Sequence, residues 1–176
     1  MNKSGNKFIS DRSFNKMDLD IKTYEKCSIN ELEQAILNNK SILMYDEVNK
    51  TSLLLRLIEL NNNKKSFLLI ESGSDVNVVN KNQESALYLA ASNSNYHIAN
   101  CLIMHGAEVN FQQQEGETAL HMAAFYNNTD LINLLLTNGA NPFIKTFYSK
   151  LLPLDYAKQK RNNESIEILE EYMNSL

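Results

Sequence analysis

One period of 33 residues recurs through most of this chain of 176 residues, and it limits the possible folds more than any other feature of the sequence. SALYLAASNSNYHIANCLIMHGAEVN, from Ser85 to Asn110, aligns under TALHMAAFYNNTDLINLLLTNGANP, from Thr118 to Pro142. Leu87 and Leu120 are 33 residues apart, as are Gly106 and Gly139, and Ala90-Ala91 falls over Ala123-Ala124. A step back puts Ser52, Leu54, Leu69-Ile70 and Gly73 in the same slots. A step forward of 34, allowing one inserted residue, adds Leu154, Ala157 and Leu169. A partial unit precedes them all, with Ala35-Ile36-Leu37 in the slots of Leu68-Leu69-Ile70. A period of this length means stacked copies of one supersecondary unit, none of which can bury its apolar face alone.

The stretch from Gly116 to Pro142 shows what the unit is. Thr118 is placed to cap a helix whose small apolar face is Leu120, Ala123 and Ala124, and Asn127-Asn128 breaks it. A second helix runs from about Thr129 to Thr137 on a stripe of Leu131, Ile132, Leu134, Leu135 and Leu136, and Gly139 stops it. Near the start, Ser28 with Glu31 three residues on is a capping-box signature that opens a helix from Ile29 to Asn39. Near the end, Glu164 to Tyr172 sets charges on both sides of Ile166, Ile168 and Leu169, as a terminal unit with one face in water requires.

Composition agrees with a helical array. Two Pro, five Gly and no Trp argue against a sandwich or barrel with many punctuated turns, and 43% apolar residues are enough for a core. A net charge of −4 provides no field for nucleic acid, and no nucleic-acid partner is expected. Lys64-Lys65 and Lys158-Gln159-Lys160-Arg161 are basic spots on an otherwise acidic array, which makes them solvated surface. Cys27 and Cys101 lie far apart without CxxC spacing, which fits a reducing compartment. The chain shows neither a signal peptide nor a membrane span, so a cytoplasmic protein without membrane contact is expected, export by an undeclared route being the alternative. The abundance of Asn and the excess of Lys over Arg read as codon usage of an AT-rich genome, a matter of source and not of chemistry.

GETALHMAA followed by LINLLLTNGANP resembles an ankyrin repeat, whose usual pattern is G-x-T-P-L-H-x-A-A and then LL-x-x-G-A-D. The resemblance covers about residues 28–172 and is sharpest in the two central units. It implies an all-α solenoid of about four to five helix-turn-helix units with degenerate capping repeats. The expected division is a mobile polar segment over 1–17 and a repeat domain over 18–176, with a degenerate cap at 18–46, units at 47–79, 80–112 and 113–146, and a C-terminal cap at 147–176. Ala86 and Ala119 replace the family's Pro, which only Pro153 keeps. Asn61, Ser94 and Asn127 replace the inter-helix glycine, and Lys50 and Gln83 replace the turn glycine that survives at Gly116. Lys64-Lys65-Ser66 puts polar residues where the second helix usually buries Ile or Val, which leaves the register of that unit open.

No chemistry competes with this reading. The resemblance makes His121 a structural tie, bonded to the Thr118 side chain and the neighbouring turn backbone. Cys101 and His105 stand at i, i+4, but His97 is the only further ligand nearby, and Cys101 fills the core slot of Leu68 and Leu134. There is no paired-carboxylate motif and no phosphate loop, and no residue pattern selects a Ser–His–Asp set. No catalytic residue, metal or cofactor is expected.

What remains is recognition of another protein. The resemblance assigns contacts to the turn tips, namely Val48, Asn49 and Thr51, then Lys81, Asn82 and Glu84, then Gln114, Glu115 and Glu117, and finally Tyr148. It adds the exposed ends of the first helices at Glu59-Leu60, Ser92-Asn93, Phe125-Tyr126 and Gln159-Lys160. Phe125-Tyr126 sets two aromatics where a core has no use for both, and exposed aromatics anchor interfaces. Glu84, Glu115 and Glu117 are expected to surround them with negative charge and so to favour a partner with a basic patch. The expected function is therefore non-catalytic binding through the concave face by a protein that is monomeric when free. Its use is as a dedicated inhibitor or immunity protein, or else as a scaffold or secreted effector that binds host proteins; an enzyme is the remote third reading.

Overall fold

The computed structural model of the chain describes residues 21–38, 45–46 and 51–176. The polar segment 1–17 and the tip residues Val48 and Asn49 lie outside these. The described residues form helices α1 (Ile21–Lys26) and α2 (Ile29–Asn38), then a two-residue antiparallel pair, β1 (Tyr45–Asp46) and β2 (Thr51–Ser52). Eight helices follow: α3 (Leu53–Glu59), α4 (Asn63–Glu71), α5 (Ala86–Ser92), α6 (Tyr96–Met104), α7 (Ala119–Phe125), α8 (Thr129–Thr137), α9 (Pro153–Lys160) and α10 (Asn163–Asn174). The first members of the pairs stack in one row, α1 on α3, α3 on α5, α5 on α7 and α7 on α9. The second members stack in another, α2 on α4, α4 on α6, α6 on α8 and α8 on α10. This is an all-α ankyrin-type solenoid, and one continuous apolar cluster fills the space between the rows.

Local signals set each pair. Ser52, Ser85 and Thr118 cap the first helices in extended conformation, and Pro153 opens α9 at its first position. The fully buried Ala90, Ala91, Ala123 and Ala124 let neighbouring first helices approach closely. Asn61, Ser94 and Asn127 turn the chain between helices with φ of 55°, 53° and 54°, in the left-handed region the missing glycine would have occupied. Gly116, at φ +88°, has a second reason to be glycine: an added Cβ would lie 2.6 Å from the Phe147 backbone nitrogen. The helix over 129–137 has the expected ends, and Ser28 and Glu31 form their capping box, with Ser28 N–H donating to Glu31 at 2.6 Å.

The asparagines, whatever the source of their abundance, have repeated structural roles. Asn62, Asn95 and Asn128 each cap a second helix with the side-chain oxygen, accepting from Lys65, Ile98 and Leu131 N–H. The amide groups of Asn95 and Asn128 reach back to the preceding pair, donating to Asn61 at 2.9 Å and to the Ser94 carbonyl at 3.2 Å. Asn77 and Asn110, one period apart, bridge forward. Each donates to a glycine carbonyl, of Gly106 and Gly139, and accepts the N–H of Glu108 or Asn141 at 2.9 and 2.8 Å. Local β-turn and cap propensity thus doubles as glue between units.

Lys65 and Ser66 keep the register of their unit. Lys65 stands in the slot of Ile98 and is 5% exposed; its aliphatic stem lies in the packed layer while its ammonium donates to the Tyr24 and Glu25 carbonyls at 3.0 and 2.6 Å. A cation there joins the Cys27 thiol as a donor to the carbonyl end of α1 and complements its dipole. Ser66 donates its hydroxyl to the Asn62 carbonyl at 2.9 Å. Polar residues are tolerated in this slot because a helix end, and not an apolar face, lies opposite.

Candidate binding face

Turn geometry repeats from tip to tip. Asn80 accepts the N–H of Asn82 and Glu84 and donates to the Glu84 carboxylate at 2.7 Å. Gln113, one period on, accepts the Glu115 N–H and donates to the Glu117 carboxylate at 2.6 Å. Backbone bonds then join the tips, from Gln114 N–H to the Asn82 carbonyl at 3.4 Å and from Phe147 N–H to the Glu115 carbonyl at 2.8 Å. Gln112 adds bonds to the Gly116 and Lys145 carbonyls at 2.8 and 3.2 Å. Asn82, Gln114, Glu115 and the Phe147-Tyr148 corner therefore form one edge.

Behind this edge lies a polar junction that inspection of single units missed. The Glu117 carboxylate accepts the Tyr88 hydroxyl at 2.7 Å and the Tyr156 hydroxyl, and so ties α5 and α9 to the turn before α7. Burial by itself raises the Glu117 carboxyl, but the bonds from Tyr156, Tyr88 and Gln113 outweigh it and hold the group below the ordinary carboxylate range. Both phenols are pushed up, first by burial and then by this carboxylate, and stay neutral donors. His121 lies against Tyr156 with ring centroids 5.1 Å apart. Its Nδ1 accepts Thr118 N–H at 3.1 Å, and its Nε2 donates to the Leu151 carbonyl at 3.2 Å. Burial dominates its titration and lowers it, so the ring is neutral at pH 7. With both nitrogens engaged in structure, His121 is the tie the resemblance implied.

The aromatic pair sits elsewhere on the face than expected. Phe125 and Tyr126 lie at the C-terminal end of α7, one helix length, about 10 Å, from the acidic tips at its N-terminal end. Glu84, Glu115 and Glu117 therefore do not surround them. The Phe125 ring packs edge-on against Tyr126 and Tyr156, at 4.9 and 6.3 Å, and the Lys160 ammonium lies 4.1 Å from its centroid. Tyr126 remains 51% exposed. Tyr88, Glu117, Tyr156, Phe125 and Tyr126 thus make a connected line from the tips to the far end of the first helices.

The other predicted contacts divide by engagement. Asn93 donates to the Ile58 carbonyl at 2.7 Å, and Glu84 is held by Asn80, so both have structural roles. Lys81, Gln114 and Glu115 are exposed, Tyr148 is 81% exposed, and none of their side chains hydrogen-bonds or pairs with an ion among the described residues. Phe147, 48% exposed beside Glu115, was missed because the period places it in a loop carrying the inserted residue. The depressions on the opposite row are open; one, between α6 and α8, is lined by Tyr96, Asp130, Asn133, Leu134, Thr137 and Asn138. Among the described residues no helix is long and apolar enough to cross a membrane.

A family model described as ankyrin repeats, in three copies, matches residues 54–146. No curated protein matches the chain at significant similarity. Ankyrin repeats are in general modules of protein–protein interaction. The match spans more than half of the sequence, and together with the two stacked rows of helices it shows that the chain belongs to the ankyrin-repeat family.

Proposed function

We propose that this protein is a non-catalytic binder of one partner protein, which it recognises through its turn tips and first-helix face. The contact set is Lys81, Asn82, Glu84, Asn93, Gln114, Glu115, Glu117, Phe125, Tyr126 and Tyr148. Tyr126 and Tyr148 supply apolar anchors, Glu115 supplies free charge, and Glu117, Glu84 and Asn93 shape the surface from behind. One observation carries the reading: exposed aromatics, Tyr126 at 51% and Tyr148 at 81%, share a face with the carboxylate of Glu115, which has no ion pair among the described residues. Such a surface suits a partner with a basic patch facing the tips. Binding that covers a partner's functional surface makes the protein a dedicated inhibitor or immunity protein, monomeric when free and acting in the cytoplasm.

The test begins with the partner captured from the native cell and compares Tyr126→Ala and Glu115→Lys, singly and together. Both side chains are exposed, whereas Phe125→Ala would also disturb Tyr156. The double variant is expected to bind at least about tenfold more weakly, and wild-type affinity is expected to fall as salt rises. A folded double variant of unchanged affinity would refute the placement. Several weakly bound partners would support the scaffold reading instead.

A further inference from the structure

We propose that Glu71, Cys101 and His105 form a binding site for a divalent transition-metal ion, Zn2+ foremost, bridging α4 and α6 on the second-helix row. Glu71 ends α4, and His105 caps α6 one turn beyond Cys101. The three donor atoms lie within 4.8 Å of one another. Cys101 Sγ and His105 Nε2 are each 3.8 Å from Glu71 Oε1. Tetrahedral Zn2+, with bonds of about 2.3 Å to sulfur and about 2.0–2.2 Å to nitrogen and oxygen, sets neighbouring ligands about 3.4–3.6 Å apart. The two edges to Glu71 must contract by a few tenths of an ångström, which the Glu71 side chain, 64% exposed, is free to do. The thiol-to-imidazole edge, within 4.8 Å, must close by up to about 1.2 Å through rotation of the His105 side chain.

The orientation of His105 is the second observation. Its Nδ1 lies 2.9 Å from the Cys101 carbonyl, which can only accept, so Nδ1 carries hydrogen and the neutral ring keeps its lone pair on Nε2, toward Glu71. Histidines that bind metal through one nitrogen commonly donate the other N–H to such a carbonyl. The back-bond itself belongs to the scaffold: in the same slot Ser72 donates to the Leu68 carbonyl at 2.6 Å and Asn138 to the Leu134 carbonyl at 2.8 Å. Neither of those side chains presents an imidazole nitrogen outward. At this boundary alone a thiol replaces Leu68 or Leu134, and a carboxylate replaces Met104 or Thr137. Three metal-binding side chains thus coincide where the repeat needs none of them.

One thiolate, one imidazole and one carboxylate suit Zn2+ over the oxygen-seeking Mg2+ and Ca2+. Cys101 is 8% exposed and backs on the core, while the His105 and Glu71 side chains open outward, leaving a fourth position for water. The ion would clamp two adjacent units together. The third ligand, Glu71, comes from the neighbouring unit, while His97 packs on Tyr96.

The test is a Co2+ titration of the reduced full-length chain, with Zn2+ as competitor and thermal unfolding as a second readout. One equivalent of Co2+ is expected to give a thiolate-to-cobalt charge-transfer band and tetrahedral ligand-field bands, which Zn2+ displaces while raising Tm. His105→Asn and Cys101→Leu install the residues that Asn138 and Leu134 hold in the sister slot, so both variants should fold, as circular dichroism checks. Each is expected to lose the charge-transfer band and the Zn2+-dependent Tm shift, while Cys27→Ser keeps both. Glu71→Thr, after Thr137, serves if either variant fails to fold, and is expected to weaken Zn2+ binding by more than about tenfold. The proposal is overturned if wild type gives no charge-transfer band, if the band survives in a folded Cys101→Leu, His105→Asn or Glu71→Thr variant, or if Cys27→Ser abolishes it.

Discussion

The hydroxyl of Tyr88 lies 2.7 Å from Glu117 Oε2 and donates to it across a repeat boundary, so one carboxylate on the turn before α7 anchors the helix before it. Tyr156 does the same from the other side. Removing one of these donors with Tyr88→Phe is expected to cost about 1.5 kcal/mol at pH 7, the size of a hydrogen bond to a charged group. Urea unfolding of the two proteins measures it; equal stabilities would mean that the junction contributes nothing.

Acid should loosen the array in two steps, both of the same sign. His121 has a depressed pKa, so its contribution is complete above the ordinary imidazole value of 6.5 and is lost as pH falls from there toward its folded value. Glu117 is also depressed, so its contribution is complete above the ordinary 4.5 and is lost as pH falls through its lower folded value. Stability measured against pH is expected to decline from about pH 6.5 as His121 takes up a proton and again below about pH 4.5 as Glu117 does. His121→Leu should remove the upper part of that slope and lower stability at pH 7 by about 1 kcal/mol through lost hydrogen bonds. A variant that keeps the upper slope would assign it to another group.

Lys65 gives a local prediction. Lys65→Ile restores the residue type of the Ile98 slot but removes the ammonium from the Tyr24 and Glu25 carbonyls, leaving Tyr24 only the Cys27 thiol. Opening of α1 is expected to become easier by about 1–3 kcal/mol, while α5 to α8 stay unchanged. Residue-resolved hydrogen exchange reads both; slower exchange in α1 would show that the ammonium is not what holds it.

Ser94 holds φ of 53° with a side chain that disfavours it, in the slot where Asn61 and Asn127 sit more easily. Its carbonyl, not its side chain, receives the Asn128 amide. Ser94→Gly is expected to stabilise the protein by about 0.5–1 kcal/mol, read as a raised midpoint in chemical unfolding. A lowered midpoint would mean that the left-handed turn carries no strain.

Apart from the period itself, what was legible in the sequence lay within one repeat. The helix over 129–137 can be read at both ends because Asn128 and Gly139 act on their immediate neighbours, and the Ser28–Glu31 box spans three residues. The capping role of His121 is equally local. What stayed hidden crosses between repeats. Lys65 finds its carbonyls 40 and 41 residues away, Glu117 its tyrosines 29 and 39 away, and Glu71 its thiol 30 away. Within its own unit Lys65 looks like a defect and Asn77 a loop residue; the stacking gives each a partner. The aromatic pair and the tip acids Glu115 and Glu117 stand at opposite ends of α7, and the length of that helix keeps them apart.

The central claim, that a partner docks on the turn tips and first helices, is tested most directly by hydrogen exchange of the protein alone and in complex with its captured partner. The account predicts slowed exchange confined to the tips at 81–84, 114–117 and 147–148 and to the C-terminal ends of α5 and α7, with α4, α6, α8 and α10 unchanged. Protection that instead falls on those second helices, with the tips exchanging as in the free protein, would contradict it.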